Sequence, residues 1–267
     1  MKSEKNRTNT KWATILSVTL YLLLLGGCGQ MLFNTDKERN LTISNIAYDV
    51  NKKSGYTIYL SENEILTPYL VLTNDYDGNV LLVRKHLLDE LKPYKNENQS
   101  HVPSYYEGSQ IDIYLNDIFF NSLAASIKEK IVDSTVMITD IESIGFEGTD
   151  TYSIQRKIFL LSYTETAQEE SPVDAVEGTP LRFFKDNIDA VRSTLSSGEY
   201  MSWWLRTPDT SSFNIVYGIS PDGYVGVCSV GGAEGTYDNG VRPAFCLPKD
   251  TVIHKGDVNG EEVYVIQ

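Results

Sequence analysis

The chain contains 267 residues, of which 41% are hydrophobic and 22% are charged, as in a globular protein with a hydrophobic core. This length allows one large domain or two small ones. Acidic residues outnumber basic residues by 36 to 23, and the formal net charge at pH 7 is -13. Because a surface of this sign repels phosphate backbones, the composition argues against nucleic-acid binding.

The N-terminal segment has the order of parts found in an export signal. Lysines and an arginine among the first eleven residues precede residues 12–25, which are almost uncharged and too short for a stable membrane span. Leu25-Gly26-Gly27-Cys28 follows and resembles the lipobox of bacterial lipoproteins. The resemblance implies that residues 1–27 are a signal peptide and that Cys28 carries a diacylglycerol with palmitate-type acyl chains.

This predicted lipid anchor sets the expected location of the protein. Two acyl chains on one cysteine hold a protein on a membrane stably, whereas one chain does not. We therefore predict an extracytoplasmic lipoprotein on the bacterial cell membrane, with residues 28–40 as a tether and residues 41–267 as a single domain. An uncleaved anchor with an incidental cysteine is the alternative.

The first half of this domain is predicted to contain a strand, a hairpin and two short helices. Alternating apolar residues predict a strand at 56–60, and apolar runs at 69–72 and 80–83 flank an Asp-Gly pair that is typical of hairpin turns. Ser109 is placed to cap a helix whose apolar residues recur from 111 to 119. Residues 122–132 are predicted to form a second short helix.

The second half is predicted to be mostly strand. Residues 163–180 are acidic and contain proline, which indicates an exposed excursion, and residues 182–197 have helical spacing. Strands are predicted at 135–138, 157–161, 202–206, 213–219, 224–230, 241–247 and 263–266.

Two cysteines lie in two of these predicted strands. A regular hairpin that joins 224–230 to 241–247 would turn near residue 237 and place Cys228 opposite Cys246, where they could form a disulfide. Two buried free thiols are the alternative, because a bulge would change the register.

The most specific motifs are the segment Ser202-Trp203-Trp204-Leu205-Arg206-Thr207-Pro208 and the segment Asn239-Gly240-Val241-Arg242-Pro243-Ala244-Phe245. Along a strand, Trp204 and Arg206 face one side, and Trp203 faces the other. One interpretation is a strand buried on both faces, with Arg206 and Arg242 paired to carboxylates or carbonyls. The second is an aromatic platform for a sugar ligand, with arginine as a hydrogen-bond donor.

Together with the apolar strand at 158–162, these motifs resemble an uncharacterised domain-of-unknown-function family of Gram-positive surface lipoproteins with a Trp-Trp-Leu-Arg-Ser-Pro…Gly-Val-Arg-Pro-Ala pattern. The resemblance covers roughly residues 55–250, and Thr207 stands where the pattern has serine. The family is distantly similar to the C-type-lectin-like fold of formylglycine-generating enzymes. This similarity implies an α+β fold of twisted antiparallel sheets with two or three helices.

The sequence contains no nucleophile elbow, phosphate loop or dinucleotide fingerprint. The formylglycine-generating enzymes use a cysteine pair to bind copper, so an oxidase-like enzyme that uses Cys228 and Cys246 is one alternative. Oxygen atoms of Asp222, Asp238 and Asn239 are candidate calcium ligands, although such residues are also typical of tight turns. We predict no catalytic residues and no cofactor.

These observations favour a non-catalytic binding or interaction module of the cell envelope. Its expected partners are the membrane, through the lipid anchor, and a glycan or protein ligand, with Trp203, Trp204, Arg206 and Arg242 as the candidate ligand or structural cluster. A purely structural envelope protein is the further alternative.

Overall fold

A computed structural model of the protein describes residues 41–49, 51, 56–95, 102–166, 175–230 and 238–266. The predicted signal peptide, Cys28 and the predicted tether lie outside the described residues. The described residues belong to one compact unit, Asn40–Gln267, with an α+β fold in which strands predominate. Within the described segments, no helix has the length and apolar character needed to cross a bilayer.

In chain order, the strands are β1 (Thr57–Glu62), β2 (Ile65–Tyr76), β3 (Asn79–Arg84), β4 (Lys92–Pro93), β5 (Ser134–Thr139), β6 (Thr151–Arg156), β7 (Ile158–Phe159), β8 (Trp203–Pro208), β9 (Ile215–Ile219), β10 (Val225–Ser229), β11 (Asp238–Asn239), β12 (Ala244–Leu247), β13 (His254–Val258) and β14 (Glu261–Val265). The α-helices are α1 (Gln110–Tyr114), α2 (Phe120–Ser122), α3 (Ala125–Lys128) and α4 (Arg182–Asp186), and a π-helical segment, Leu115–Phe119, joins α1 to α2. Short 3-10 turns occur at Ile43–Ile46, Ile141–Ser143, Thr164–Thr166 and Ile188–Val191.

The largest sheet in the described segments has the strand order β13-β14-β1-β2-β3-β12-β7. Strands β1 and β14 are parallel, and the other neighbours in this sheet are antiparallel. Smaller sheets are formed by β10-β9-β8, by β11-β4 and by β5-β6. All of β12 and nearly all of β3 are buried, so the hydrophobic core covers both faces of the large sheet at its centre.

The predicted hairpin at the start of the domain is confirmed. Strands β2 and β3 pair through a turn in which Tyr76 is opposite Asn79. Asp77 and Gly78 have φ angles of 49° and 77°. Because this left-handed conformation suits Asp-Gly, the local sequence determines the turn.

The predicted helix after Ser109 is also confirmed. The Ser109 hydroxyl accepts a hydrogen bond from the backbone N–H of Asp112 at 3.2 Å, which caps α1. Ile111, Leu115 and Phe119 are buried on one side of the segment that runs from α1 to α2. The apolar spacing therefore predicts most of the core-facing stripe of this helix, but Ile118, which was expected on the same stripe, is 62% exposed.

The predicted helix at 182–197 is wrong in its length, because α4 is short and a 3-10 turn follows it. The carbonyl oxygen of Ala190 accepts a hydrogen bond from Arg242 at 3.1 Å, and that of Val191 accepts one from the indole of Trp203 at 3.1 Å. Side chains that are distant in sequence use the carbonyls that a longer helix would need. Tertiary contacts thus override the local periodicity.

The predicted hairpin between 224–230 and 241–247 is wrong. Strand β10 pairs with β9 through the turn that contains Asp222 and Gly223, and β12 pairs with β3 on one side and β7 on the other. Both edges of β12 are therefore occupied, which leaves no edge for β10. As a result, Cys228 and Cys246 lie in different sheets, and both are free thiols.

The two specific sequence motifs contact each other directly. Gly240 forms a parallel bridge with Trp203 at the start of β8. Its N–H donates to the carbonyl of Ser202 at 2.9 Å, and its carbonyl accepts from the N–H of Trp204 at 3.1 Å. The segment that precedes Arg242 is thereby fixed against the first residues of β8.

We expect Gly240→Ala to destabilise the domain by about 1–3 kcal/mol, the usual cost of overpacking. A Cβ atom at this position would lie 2.5 Å from Leu87 Cδ1 and 3.0 Å from the backbone oxygen of Ser202. Gly226→Ala in β10 is the matched control, because a Cβ there meets no atom within 4 Å. Urea denaturation of both variants tests the prediction, and equal stabilities would contradict it.

Candidate functional site

The Trp-Trp-Leu-Arg block forms the buried strand β8. Trp203, Trp204 and Arg206 each have 0% exposure. The indole of Trp203 donates to Val191, as described above, and that of Trp204 donates to the carbonyl of Lys92 at 2.7 Å. Both indole N–H groups are satisfied inside the core, so the block is a structural cluster and not an open aromatic platform.

Arg206 is held by a bidentate ion pair. Its Nη1 and Nη2 atoms donate to the two carboxylate oxygens of Glu165 at 2.8 and 2.9 Å. The carbonyls of Met137 and Leu160 accept from Nε and Nη1 at 2.9 and 2.7 Å. Burial alone would lower the pKa of Arg206, but Glu165 raises it above its ordinary value, so the guanidinium stays charged.

Glu177 adds a second buried carboxylate to this network. It accepts hydrogen bonds from the N–H and hydroxyl of Thr139 and from the hydroxyl of Thr207, at 2.7 to 2.8 Å. Its Oε2 lies 3.5 Å from Nε of Arg206. Burial raises the pKa of Glu177, and the charge of Arg206 together with these hydrogen bonds opposes that shift. The network therefore satisfies its own polar groups.

The predicted exposed excursion at 163–180 is wrong for these two glutamates, which are both 0% exposed. The reason is Arg206, because both carboxylates pair with its fully buried charge. The motif predicted carboxylate or carbonyl partners for the arginine. Glu165 and Glu177 could not be identified as these partners, because no local pattern links them to position 206.

Arg242 is buried without such compensation. It is 1% exposed, and none of the described carboxylates lies within ion-pair distance of it. Its guanidinium donates to backbone carbonyls, among them Arg84 at 3.0 Å and Ala190 at 3.1 Å, and lies 5.3 Å from the ring of Trp203. Burial lowers the pKa of Arg242 to about 9, so the group is protonated at pH 7.

A cavity of ≈ 240 Å³ lies against this arginine, where the chain after α4 passes the end of β3. We call it the basic pocket; it is lined by the basic residues Lys85, His86, Arg192 and Arg242, the hydroxyl residues Ser193 and Thr194, and Leu70, Phe183, Ala190 and Tyr200. None of these lining residues is acidic, although acidic residues predominate in the whole chain.

Hydrogen bonds join the two chain segments that form the walls of the basic pocket. The Ser193 hydroxyl donates to the carbonyl of Lys85 at 3.0 Å. Nδ1 of His86 lies 2.9 Å from the hydroxyl of Thr194, and the N–H of Leu87 donates to the carbonyl of Thr194 at 2.8 Å. The pocket is therefore built into the fold and does not depend on one loose side chain.

The basic pocket presents several donors that have no partner among the described residues. Arg192 uses Nε to donate to Pro221 at 3.0 Å and stacks 4.0 Å from the centre of the Tyr200 ring, which leaves both of its Nη atoms free. No hydrogen bond or ion pair involves Lys85 Nζ or His86 Nε2 in the described segments. Burial lowers the pKa of His86, and the charges of Lys85 and two arginines lower it further.

A second cavity of ≈ 510 Å³ shares His86 with the basic pocket but has a different charge balance. Its lining includes the Arg84–Glu62 ion pair at 3.0 Å, together with Asp89 and Glu90. Because cations and carboxylates are both present, this cavity does not select one sign of charge. The basic pocket is therefore the better candidate for recognition of a charged ligand.

Cys228 and Cys246, the two residues named by the oxidase-like alternative, are free thiols in different sheets. Cys246 in β12 is 0% exposed, and burial raises its pKa to about 12. Burial also raises the pKa of Cys228 in β10. A shared metal site needs the two sulfur atoms side by side, and these two cysteines lie in strands of separate sheets.

The candidate calcium ligands are in ordinary structural positions. Asp222 lies in the turn between β9 and β10, and Asp238 and Asn239 form β11. The side-chain oxygen of Asn239 accepts from the hydroxyl of Ser202 at 2.8 Å. Across the described ranges, no group of three or more histidine, cysteine or acidic side chains is arranged to hold a metal ion.

The chain was also compared with known proteins. No curated protein and no solved structure has significant similarity to it. The family described as "Domain of unknown function (DUF6273)" matches residues 77–249. This range covers more than half of the chain and contains β8, Gly240 and Arg242, as well as all of the basic pocket except Leu70. The chain therefore belongs to the DUF6273 family.

Proposed function

We propose that this protein is an extracytoplasmic lipoprotein whose folded domain is a non-catalytic binding or interaction module of the cell envelope. The basic pocket is the observation that carries the proposal. It is a concave site with unpartnered donors, which is the arrangement expected of a recognition site. A purely structural protein has no need to keep several cations together without carboxylates.

The proposed location rests on the order of features at the N-terminus. A basic leader, a short apolar stretch and Leu25-Gly26-Gly27-Cys28 follow one another as in lipoproteins. The proposed anchor is a diacylglycerol thioether on Cys28 with palmitate-type chains, and the membrane is the first partner. A glycan or protein of the envelope is the second.

We further propose a C-type-lectin-like fold and a place among Gram-positive surface lipoproteins. The first proposal is supported by the mixture of short helices and mainly antiparallel sheets and by the parallel pairing of the first and last strands, β1 and β14. The second is supported by the two motifs around Arg206 and Arg242 and by the N-terminal segment.

Metabolic labelling with an alkyne-bearing fatty acid in a bacterial host tests the anchor. We expect the full chain to be labelled, the label to be absent in Cys28→Ser, and Cys228→Ser to remain labelled as the matched cysteine control. Protease added to intact cells should degrade the folded domain. Labelling of Cys28→Ser at the wild-type level, or complete protection from the protease, would contradict the proposed location.

The binding role is tested with the full chain in mild detergent. A glycan array and a pull-down from an isolated envelope fraction should each be compared with a denatured sample of the same chain. We expect the folded chain, but not the denatured sample, to bind a glycan on the array or to retain an envelope component in the pull-down. Absence of specific retention in both would contradict a binding module.

A further inference from the structure

We infer that the basic pocket binds an oxyanion, a carboxylate or a phosphate monoester, that is carried on a compact ring or apolar group. This inference rests on the proposed binding function and names the ligand chemistry of its site. Oxyanions and guanidinium groups match in geometry, because two parallel N–H groups can reach two oxygens.

Arg192 is the residue best placed to make this contact. Its Nε is fixed by the carbonyl of Pro221, and its plane is fixed against the ring of Tyr200. Both Nη atoms remain available on a side chain whose orientation is already set. A pre-organised fork of this kind loses little entropy when it binds a ligand.

Arg242 supplies a positive charge at the wall of the pocket at pH 7. Backbone carbonyls occupy most of its N–H groups, but carbonyls do not neutralise the net charge. A buried cation without a carboxylate is costly, and an anion beside it would reduce that cost. Lys85 Nζ is a further donor around the same cavity, and Nε2 of His86 is one in the tautomer in which Nδ1 accepts from Thr194.

The walls restrict what can accompany the anion. Leu70, Phe183, Ala190 and the ring of Tyr200 provide apolar surface, which suits a ring or a short hydrocarbon group. The volume of ≈ 240 Å³ is below the roughly 300–1,000 Å³ of sites for drug-sized ligands. The net charge of -13 opposes a polyanion at long range, so one small anionic group fits better than a charged polymer.

Isothermal titration calorimetry on the full chain in nonionic detergent, at low ionic strength, tests the inference. The probes are phenyl phosphate, benzoate and benzyl alcohol, which share a ring and differ in charge. We expect at least one of the two anions to bind and benzyl alcohol to bind more than tenfold more weakly. Preference for phenyl phosphate would assign the site to phosphate monoesters, and preference for benzoate would assign it to carboxylates.

Three variants locate the binding. Arg192→Gln should weaken the better anion about tenfold, because it removes a charge-assisted fork. Lys85→Gln should weaken it about threefold, since an exposed ammonium contributes less. Lys249→Gln removes the same charge outside the pocket and should leave the affinity unchanged. Thermal unfolding of each variant checks that it is folded. We expect Arg192→Gln to fold, since the terminal nitrogens of Arg192 hydrogen-bond to no other residue among those described.

Binding of neither anion would overturn the inference. Equal binding of benzyl alcohol would also overturn it, as would an Arg192→Gln effect no larger than that of Lys249→Gln. These outcomes are separable from failure of the proposed function. Anion binding in a chain that fails the labelling and envelope assays would leave the pocket assignment intact, whereas envelope binding without anion binding would remove only the ligand assignment.

Discussion

Replacement of Arg206 by methionine is expected to destabilise the domain by about 3–5 kcal/mol, the usual cost of breaking one side of a buried ion pair. The substitution would leave Glu165 and Glu177, both fully buried, without their common cation. It would also remove donors from the carbonyls of Met137 and Leu160. Urea denaturation of the full chain in detergent, followed by circular dichroism, measures the loss.

Arg182→Met is the matched control for this experiment. Arg182 forms an ion pair with Asp186 at 2.7 Å, but its side chain is 61% exposed, so water and salt screen the pair. The control should unfold close to the wild-type urea concentration. If Arg206→Met unfolds at the same urea concentration as Arg182→Met, the network around Arg206 is not the stabilising centre described above.

Trp203→Ala is expected to cost about 3–5 kcal/mol, as for other aromatic residues removed from a packed core. The change removes the hydrogen bond to Val191 and the ring beside the guanidinium of Arg242. Because Trp203 also forms a β-bridge with Gly240, the cavity left by the removed ring would lie where the two sequence motifs contact each other. Thermal and urea unfolding monitored by circular dichroism measure the loss.

Trp203→Phe separates the packing of the ring from its hydrogen bond. It retains most of the aromatic surface and loses the indole N–H, so we expect a clearly smaller loss than for alanine. Stabilities that are equal for the alanine and phenylalanine variants would show that ring packing contributes little at this position. That result would contradict the assignment of Trp203 to the structural core.

Arg206 and Arg242 show how two buried arginines can have different roles. Both come from the specific motifs, and both are almost completely inaccessible to solvent. Arg206 forms ion pairs with Glu165 and Glu177, so its charge is balanced within the fold. Arg242 meets only carbonyls and rings among the described residues, and its charge faces a cavity. This difference makes the first a scaffold residue and the second part of a candidate binding site.

Local sequence signals predicted the elements whose defining contacts are close along the chain. The Asp77-Gly78 turn and the Ser109 cap each depend on residues within three or four positions, so the local order of residues identified them. Burial of β8 on both faces was also one of the two interpretations of the sequence, because a Trp-Trp-Leu-Arg segment is costly to expose to water.

The sequence could not predict contacts that depend on tertiary structure. The pairing of Arg206 with Glu165 spans 41 positions. Helix α4 does not continue to residue 197, because the side chains of Trp203 and Arg242 hydrogen-bond to backbone carbonyls that a longer helix would use. The hairpin between Cys228 and Cys246 failed because strands from earlier in the chain occupy both edges of β12. Strand pairing over such separations is not encoded in local patterns.

The basic pocket was missed for the same reason. Lys85, Arg192 and Arg242 are widely separated in the sequence, and no local pattern links Lys85 or Arg192 to Arg242. The available signal was Arg242, which lies in a specific motif with no acidic neighbour after Asp238. A buried motif arginine without a nearby carboxylate is therefore a useful pointer to a site that accepts an anion.

Binding at the basic pocket can be located by heteronuclear NMR of the isotopically labelled chain, titrated with the better-binding anion. We expect the Nε–Hε signal of Arg192 and the backbone amides of Lys85, His86 and Thr194 to shift together with saturation, while the amides of β5 and β6 do not shift. Saturable shifts confined to other parts of the domain, with these signals unchanged, would show that the recognition site is elsewhere.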